Sequence, residues 1–324
     1  MGRWTKIIGG AAILLAIAFA IGPRPSMDVE ARFDPDLLPS DLDAYLMERE
    51  SAFDDITPGA EKEILWFGEA GARTPLSIVY LHGFSATKAE IRPVPDRIAA
   101  ALGANLYYAR LPGHGRPGAA LGAAKADDWY VDTLEALEIG RRIGERVVVI
   151  GTSTGVTLAA AALAAGAPDV AGLIGVSPNF AVKGAPTPLM TMPFGDVILP
   201  LLLGAERSWE PLNEGQATWW TTSYPLTAIT QLGAAVDAAG RADLESVSSP
   251  ALFIFSDDDE VVDHEATRKA AARWGGPIEI VDIAPGAGDS PSRHVIAGDI
   301  LSPGGTEKTI EAALSWLRSA KIAE

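Results

Sequence analysis

From Leu76 onward, short apolar runs alternate with helical sequence, and this alternation leaves few architectures open. The runs are Ser77–Leu81, Asn105–Ala109, Arg146–Ile150, Gly172–Val176, Ala251–Phe255 and Pro277–Ile283. Most read as continuous apolar runs rich in β-branched residues, as strands buried on both faces require, and only Pro277–Ile283 carries interior charges, at Glu279 and Asp282. Helical sequence lies between them at about 88–102, from Asp127, over Thr154–Ala165 and His264–Arg273, and near Thr306–Ala320. In the stretch from Asp127, Tyr130, Thr133, Leu134 and Leu137 recur at helical spacing, and Thr154–Ala165 is apolar all round. Strands and helices in this order predict an α/β fold, a doubly wound, mostly parallel sheet with helices on both faces. The rhythm breaks between Phe180 and Ile229. That stretch carries Pro186, Pro188, Pro193, Pro200, Pro211 and Pro225, the apolar run Val197–Leu203, and Trp209, Trp219 and Trp220. It reads as an inserted cap segment at about 181–228.

One strand-to-helix junction carries chemistry. Gly151-Thr152-Ser153-Thr154-Gly155 has the form G-x-S-x-G, set between the strand ending at Ile150 and the buried helix. A serine on such a turn stands clear of the backbone at a helix N-terminus, where free N–H groups and positive potential favour developing negative charge. Ser153 is the candidate nucleophile, and the N–H of Thr154 a candidate oxyanion donor. Ser153 needs a base. His82 and His114 precede it, and His264 begins a helix just past the acidic loop. In a sheet with this elbow the chain order is nucleophile, acid, histidine, so the base is His294, after the last strand. The acid belongs after Ala251–Phe255, where the loop offers Asp257, Asp258 and Asp259. Chemistry alone does not choose among them.

These motifs taken together resemble the α/β-hydrolase superfamily, and within it the lipase/esterase and monoacylglycerol-lipase-like members. The likeness is carried by His82-Gly83-Phe84 after a strand, Leu111-Pro112-Gly113-His114-Gly115, the Ser153 elbow, the loop Ser256–Val262 and the late His294-Val295. It runs from about Leu76 to Ala320. The resemblance implies that the acid is Asp259, that Phe84 supplies the second oxyanion N–H, that His82 and His114 order loops, and that Trp129 and Asp132 form the helix motif after the Gly115 loop. It implies cleavage of carboxylic esters, of apolar or acyl-glycerol-like substrates, through an acyl-enzyme, with Trp209, Trp219, Trp220 and Val197–Leu203 lining an acyl pocket. Thioesterase, aminopeptidase and carbon–carbon hydrolase activities use the same triad, and a binding module that kept the motif without turnover is a further alternative. Two positions depart from the family pattern: Ser256 replaces a glycine of the acid loop, and Val156 replaces a second glycine after the elbow.

Composition narrows the partners. The net charge of −16, without a basic cluster beyond Arg141-Arg142, excludes nucleic acid as an expected partner. The chain has no cysteine, so disulfides, thiolate nucleophiles and cysteine-bound zinc are excluded. No metal or cofactor is expected. At the N-terminus Arg3 and Lys6 precede a charge-free run, Ile7–Gly22, of about 16 residues, against the roughly 17–25 of a spanning helix. Residues 1–22 are therefore expected to be a signal anchor or a signal peptide cleaved after Ala18-Phe19-Ala20. The protein is then exported, facing the periplasm or exterior. The acidic, proline-rich residues 23–60 read as a spacer with a helix near Leu42–Glu50, and residues 61–324 as the catalytic domain.

Overall fold

The structure is a computed structural model and describes residues 17–323. The expected N-terminal segment lies for the most part outside the described residues; among those described, no helix is long and apolar enough to cross a membrane.

The strands are β1 (Glu63–Leu65), β2 (Thr74–Leu81), β3 (Asn105–Tyr108), β4 (Gly144–Thr152), β5 (Gly172–Val176), β6 (Glu206–Ser208), β7 (Ser223–Pro225), β8 (Ala251–Phe255) and β9 (Ile278–Asp282). Seven of them form one sheet in the order β1-β3-β2-β4-β5-β8-β9. All neighbouring pairs are parallel except β1 with β3.

The period-2 geometry of a strand explains why its runs are apolar throughout. Val79 and Leu81 of β2, Val147 and Val149 of β4, and Phe253 and Phe255 of β8 enter one core with the helices Ala126–Ile143, Thr154–Ala164 and Thr227–Arg241. The intervening Ile78 and Tyr80, Val148 and Ile150, and Leu252 and Ile254 enter the opposite core with Val94–Leu102 and Pro303–Ser319. Burying a side chain of this size contributes roughly 1.5–3 kcal/mol, so neither face tolerates a polar alternation. Between β5 and the helix Thr227–Arg241, in the stretch expected to be an inserted cap, the chain forms the short helices Thr187–Met190, Gly195–Leu203 and Glu214–Trp219 and the antiparallel pair β6–β7.

Residues 23–60 differ from the expected spacer. Met27, Leu38, Leu42 and Leu46 are buried in the core that carries the Thr154–Ala164 helix. Glu50, on the helix Leu42–Ser51, receives both Nε and Nη2 of the buried Arg110 at 2.6 and 2.8 Å. The buried Lys62 ammonium bonds Glu135 at 2.8 Å and also Asp132, both on the Ala126–Ile143 helix. Buried charges persist only when paired; the Glu50–Arg110 pair fastens the segment to the body, and Lys62, just beyond it, donates its own backbone N–H to Glu50 Oε2 at 3.0 Å.

Candidate active site

The elbow begins where β4 runs out. Ser153 takes φ 50° and ψ −112°, a conformation rarely adopted by a residue with a side chain, at a cost of order 1–3 kcal/mol. Its glycine neighbours serve packing. A Cβ on Gly155 would stand 2.1 Å from the Leu81 carbonyl, and one on Gly151 2.9 Å from the Val156 nitrogen. The helix can therefore press against the sheet only if both positions are bare. Val156 fits without the family's glycine because Gly175 of β5 leaves room: its methyls lie 3.1–3.2 Å from where a Gly175 Cβ would be. Thr154 is the first residue of the helix, so its N–H has no partner within the helix.

The acid loop follows β8, and its three aspartates have different fates. Asp257 pairs with Arg268 and Asp258 with Arg293, all at least partly exposed. Asp259 is fully buried. Its Oδ1 accepts the N–H groups of Val261 and Val262 at 2.7 and 2.9 Å, and its Oδ2 lies 2.8 Å from His294 Nδ1. An ionised carboxylate only accepts, so Nδ1 carries the proton and Nε2 is left with its lone pair. Ser256 replaces the family's glycine without strain: its carbonyl accepts Asp259 N–H at 3.1 Å and its hydroxyl accepts Asp258 N–H at 3.2 Å. The His294 loop is held from both sides, by Ser177 Oγ donating to the His294 carbonyl and by Glu260 N–H donating to Ser292. Burial alone would lower the His294 pKa. The charge and hydrogen bond of Asp259, with a smaller contribution from Glu90, outweigh it, and the net shift is upward from 6.5.

Ser153, His294 and Phe84 line one cavity of about 380 Å³ with Trp209, Trp220 and Tyr224, a volume suited to a small ligand. The Phe84 ring packs edge-on against Trp129 and Tyr224, which fixes the turn that carries its N–H. His82 Nδ1 donates to the Gly83 carbonyl at 2.9 Å while its Nε2 accepts Leu111 N–H at 3.0 Å. Burial pushes His82 down to about 4 and holds His114 well below 6.5. Both are neutral and committed to loop structure. His264 lies apart, at a helix start beside Glu265.

Of the residues expected to line an acyl pocket, only some reach this cavity. Trp209 and Trp220 line the cavity, but Trp219 lies over Gly59. Of the run Val197–Leu203, Leu199 is buried but most of the rest turns outward, with Leu201 78% and Leu202 74% exposed. The cavity also holds groups that patterning did not single out: Glu90, Arg207 and Glu210. Glu90 follows small residues in a turn, and nothing in local spacing marks its carboxylate as buried.

Comparison with known proteins agrees with this architecture. A model of the alpha/beta hydrolase family matches residues 78–297. A thermostable monoacylglycerol lipase of Bacillus sp. (strain H-257) is 28% identical over 188 residues, which are 58% of this chain and 72% of that one. A solved structure of the metagenome-derived lipolytic enzymes LipS and LipT superposes with a TM-score of 0.65 at 22% identity, covering 82% of this chain and 99% of that one. The monoacylglycerol lipase of Paleococcus ferrophilus superposes with a TM-score of 0.56 at 16% identity, covering 80% and 98%. A match spanning the sheet from β2 past the His294 loop takes in the elbow, the acid loop and the histidine together, and the chain belongs to the alpha/beta hydrolase family.

Proposed function

We propose that the protein is a serine esterase acting on apolar or acyl-glycerol-like carboxylic esters, with Ser153 as nucleophile, His294 as base and Asp259 as its orienting acid. The observation that carries this reading is the buried Asp259–His294 pair opening into the same cavity as the strained Ser153. Ser153 Oγ attacks the ester carbonyl carbon as its proton passes to His294 Nε2. The carbonyl oxygen becomes an oxyanion that the N–H groups of Thr154 and Phe84 receive, a contribution of about 3–4 kcal/mol per donor. The imidazolium gives its proton to the departing alcohol, leaving an acyl-serine. Water then attacks the acyl carbon with His294 again as base, and Ser153 recovers its proton as the acid leaves. The lipase and esterase relatives and the tryptophans in the cavity support an ester with an apolar acyl part. A graded series of p-nitrophenyl esters, run beside thioester and peptide substrates, tests this. Esters should be turned over fastest, and a preference for the peptides would refute the ester assignment.

The same proposal includes attachment to, or export across, a membrane through residues 1–22. Basic residues ahead of a charge-free run favour retention of the short N-terminus in the cytoplasm, with the rest of the chain on the far side. The outer end of that run supports this: Ile17 and Ile21 are exposed, and Phe19 lies 6.3 Å, ring to ring, from Phe194 of the cap. The adjoining cap helix, Gly195–Leu203, exposes Val197, Leu201, Leu202 and Leu203, so one apolar surface continues from the segment onto the cap. Full-length protein should fractionate with membranes or reach the periplasm. Protein lacking residues 1–22 should be soluble with kcat/KM within about twofold of the full-length value, because the catalytic groups all lie between Phe84 and His294. Full-length protein found free in the cytoplasm, with a truncated form that precipitates, would refute the proposal.

A further inference from the structure

A buried second carboxylate lies inside the site; the mechanism above does not use it, and among the described residues no cation pairs with it. Glu90 is 2% exposed and lines the cavity with Ser153 and His294. Its Oε2 accepts the Gly83 N–H at 2.7 Å and the Tyr80 hydroxyl at 3.3 Å. The Tyr80 oxygen is 3.0 Å from Thr152 Oγ1, which belongs to the residue before the nucleophile. The oxyanion loop is pressed onto this carboxylate: a Cβ on Gly83 would stand 2.7 Å from Oε1. From behind, the turn is backed by the segment after His294, where a Cβ on Gly298 would meet the Glu90 carbonyl at 2.7 Å. The Glu90 carboxylate therefore holds the Phe84 loop directly and the Ser153 elbow through Tyr80, while the Glu90 main chain abuts the segment leaving His294.

Resting on the esterase reading above, we propose that Glu90 is a positioning residue, which locks the oxyanion loop to the nucleophile elbow through Gly83 and Tyr80 and shares the cavity with His294 as a second carboxylate. A carboxylate near a developing oxyanion is unfavourable by itself. Here the imidazolium forms in the same step, in the cavity that Glu90 also lines, which offsets the repulsion. The titratable groups whose charge or hydrogen bond reaches Glu90 are His294, from the loop after β9, and Tyr80, from β2. Burial lifts the Glu90 carboxyl to about 7, against the opposing pull of Gly83 N–H, His294 and Tyr80. Its charge is thus present above about pH 7 and lost below it.

Two variants separate charge from structure. Glu90→Gln keeps an oxygen for Gly83 and Tyr80 but removes the charge; Glu90→Ala removes both. The wild-type acid limb of kcat/KM should have its midpoint above 6.5, since catalysis needs neutral His294 and the pKa of that imidazole is raised. In Glu90→Gln the limb should move to lower pH by roughly 1 unit, the effect of losing one nearby negative charge, with kcat at its plateau within about tenfold. In Glu90→Ala kcat should fall on the order of 10²-fold, as when an oxyanion donor is lost, with KM within about threefold and partial rescue by glutamine. Melting curves on both variants report folding. An unmoved acid limb in a folded Glu90→Gln, or a lowered melting temperature with kcat unchanged in Glu90→Ala, would overturn the proposal. Ser153→Ala measured alongside keeps the two readings apart: full activity there would remove the esterase mechanism itself, whatever Glu90 does.

Discussion

Ser153→Ala is expected to lower kcat on the order of 10⁶-fold while the protein stays folded, the size of loss seen when a serine nucleophile is removed from a working triad. The expectation follows from position as well as type. Ser153 is buried to 5% exposure at the cavity wall, and its backbone is held by Ser153 N–H donating to the Val176 carbonyl at 2.9 Å and by its own carbonyl accepting Val156 N–H at 3.0 Å. Those bonds persist in alanine, and only one oxygen is lost. The φ strain is the same for both residues, so stability should change by less than about 1 kcal/mol. The variant should also fail to react with a fluorophosphonate, which labels an activated serine. Turnover close to wild type, in a variant shown to be folded, would refute Ser153 as nucleophile.

The strands that carry the site are legible in the sequence because both of their faces are buried. β2, β4, β5 and β8 read as unbroken apolar runs since helices cover the sheet above and below. β1 escapes such a reading: it is three residues long, antiparallel at the sheet edge, and begins with a glutamate. The expected helix over 88–102 is likewise shorter, a turn at Lys88–Glu90 followed by Val94–Leu102, because Pro93 has no N–H to give to a helical ladder.

What local patterning misses is long-range pairing. Glu50 and Lys62 look like solvated charges in an acidic, proline-rich stretch, and only Arg110, Asp132 and Glu135, about 50–75 positions on, make their burial affordable. For the same reason residues 23–60 read as a spacer while packing as part of the domain. Val197–Leu203 fails in the opposite direction. Its leucines look like core, yet only Leu199 is buried while Leu201, Leu202 and Leu203 face outward, since a short helix has only one side against the body. In the site itself, the order nucleophile, acid, histidine isolates Ser153 and His294. The acidic loop stays ambiguous to chemistry alone; the family resemblance points to Asp259, and the structure separates the exposed Asp257 and Asp258 from the buried Asp259.

That separation makes the second large prediction. Asp259→Asn is expected to cost on the order of 10⁴-fold in kcat, and the reason is the direction of hydrogen bonds more than the loss of charge. Oδ1 faces two donors, Val261 N–H and Val262 N–H. An asparagine there must turn its oxygen toward them, because its NH₂ would confront two N–H groups in a buried pocket. The NH₂ then faces His294 Nδ1, which has to accept where it formerly donated. The imidazole proton moves to Nε2, the atom that must take the proton from Ser153, and the base is held in the wrong tautomer. Loss of the carboxylate also removes what raises the His294 pKa, so the remaining activity should show an acid limb displaced to lower pH. Asp257→Asn and Asp258→Asn break only partly exposed pairs with Arg268 and Arg293, contacts worth about 0–1 kcal/mol, and should leave kcat within a few-fold of wild type. Measuring kcat for the three variants under one assay decides the assignment. A collapse of activity in Asp258→Asn with Asp259→Asn still active would move the acid by one residue, and the tautomer argument would fall with it.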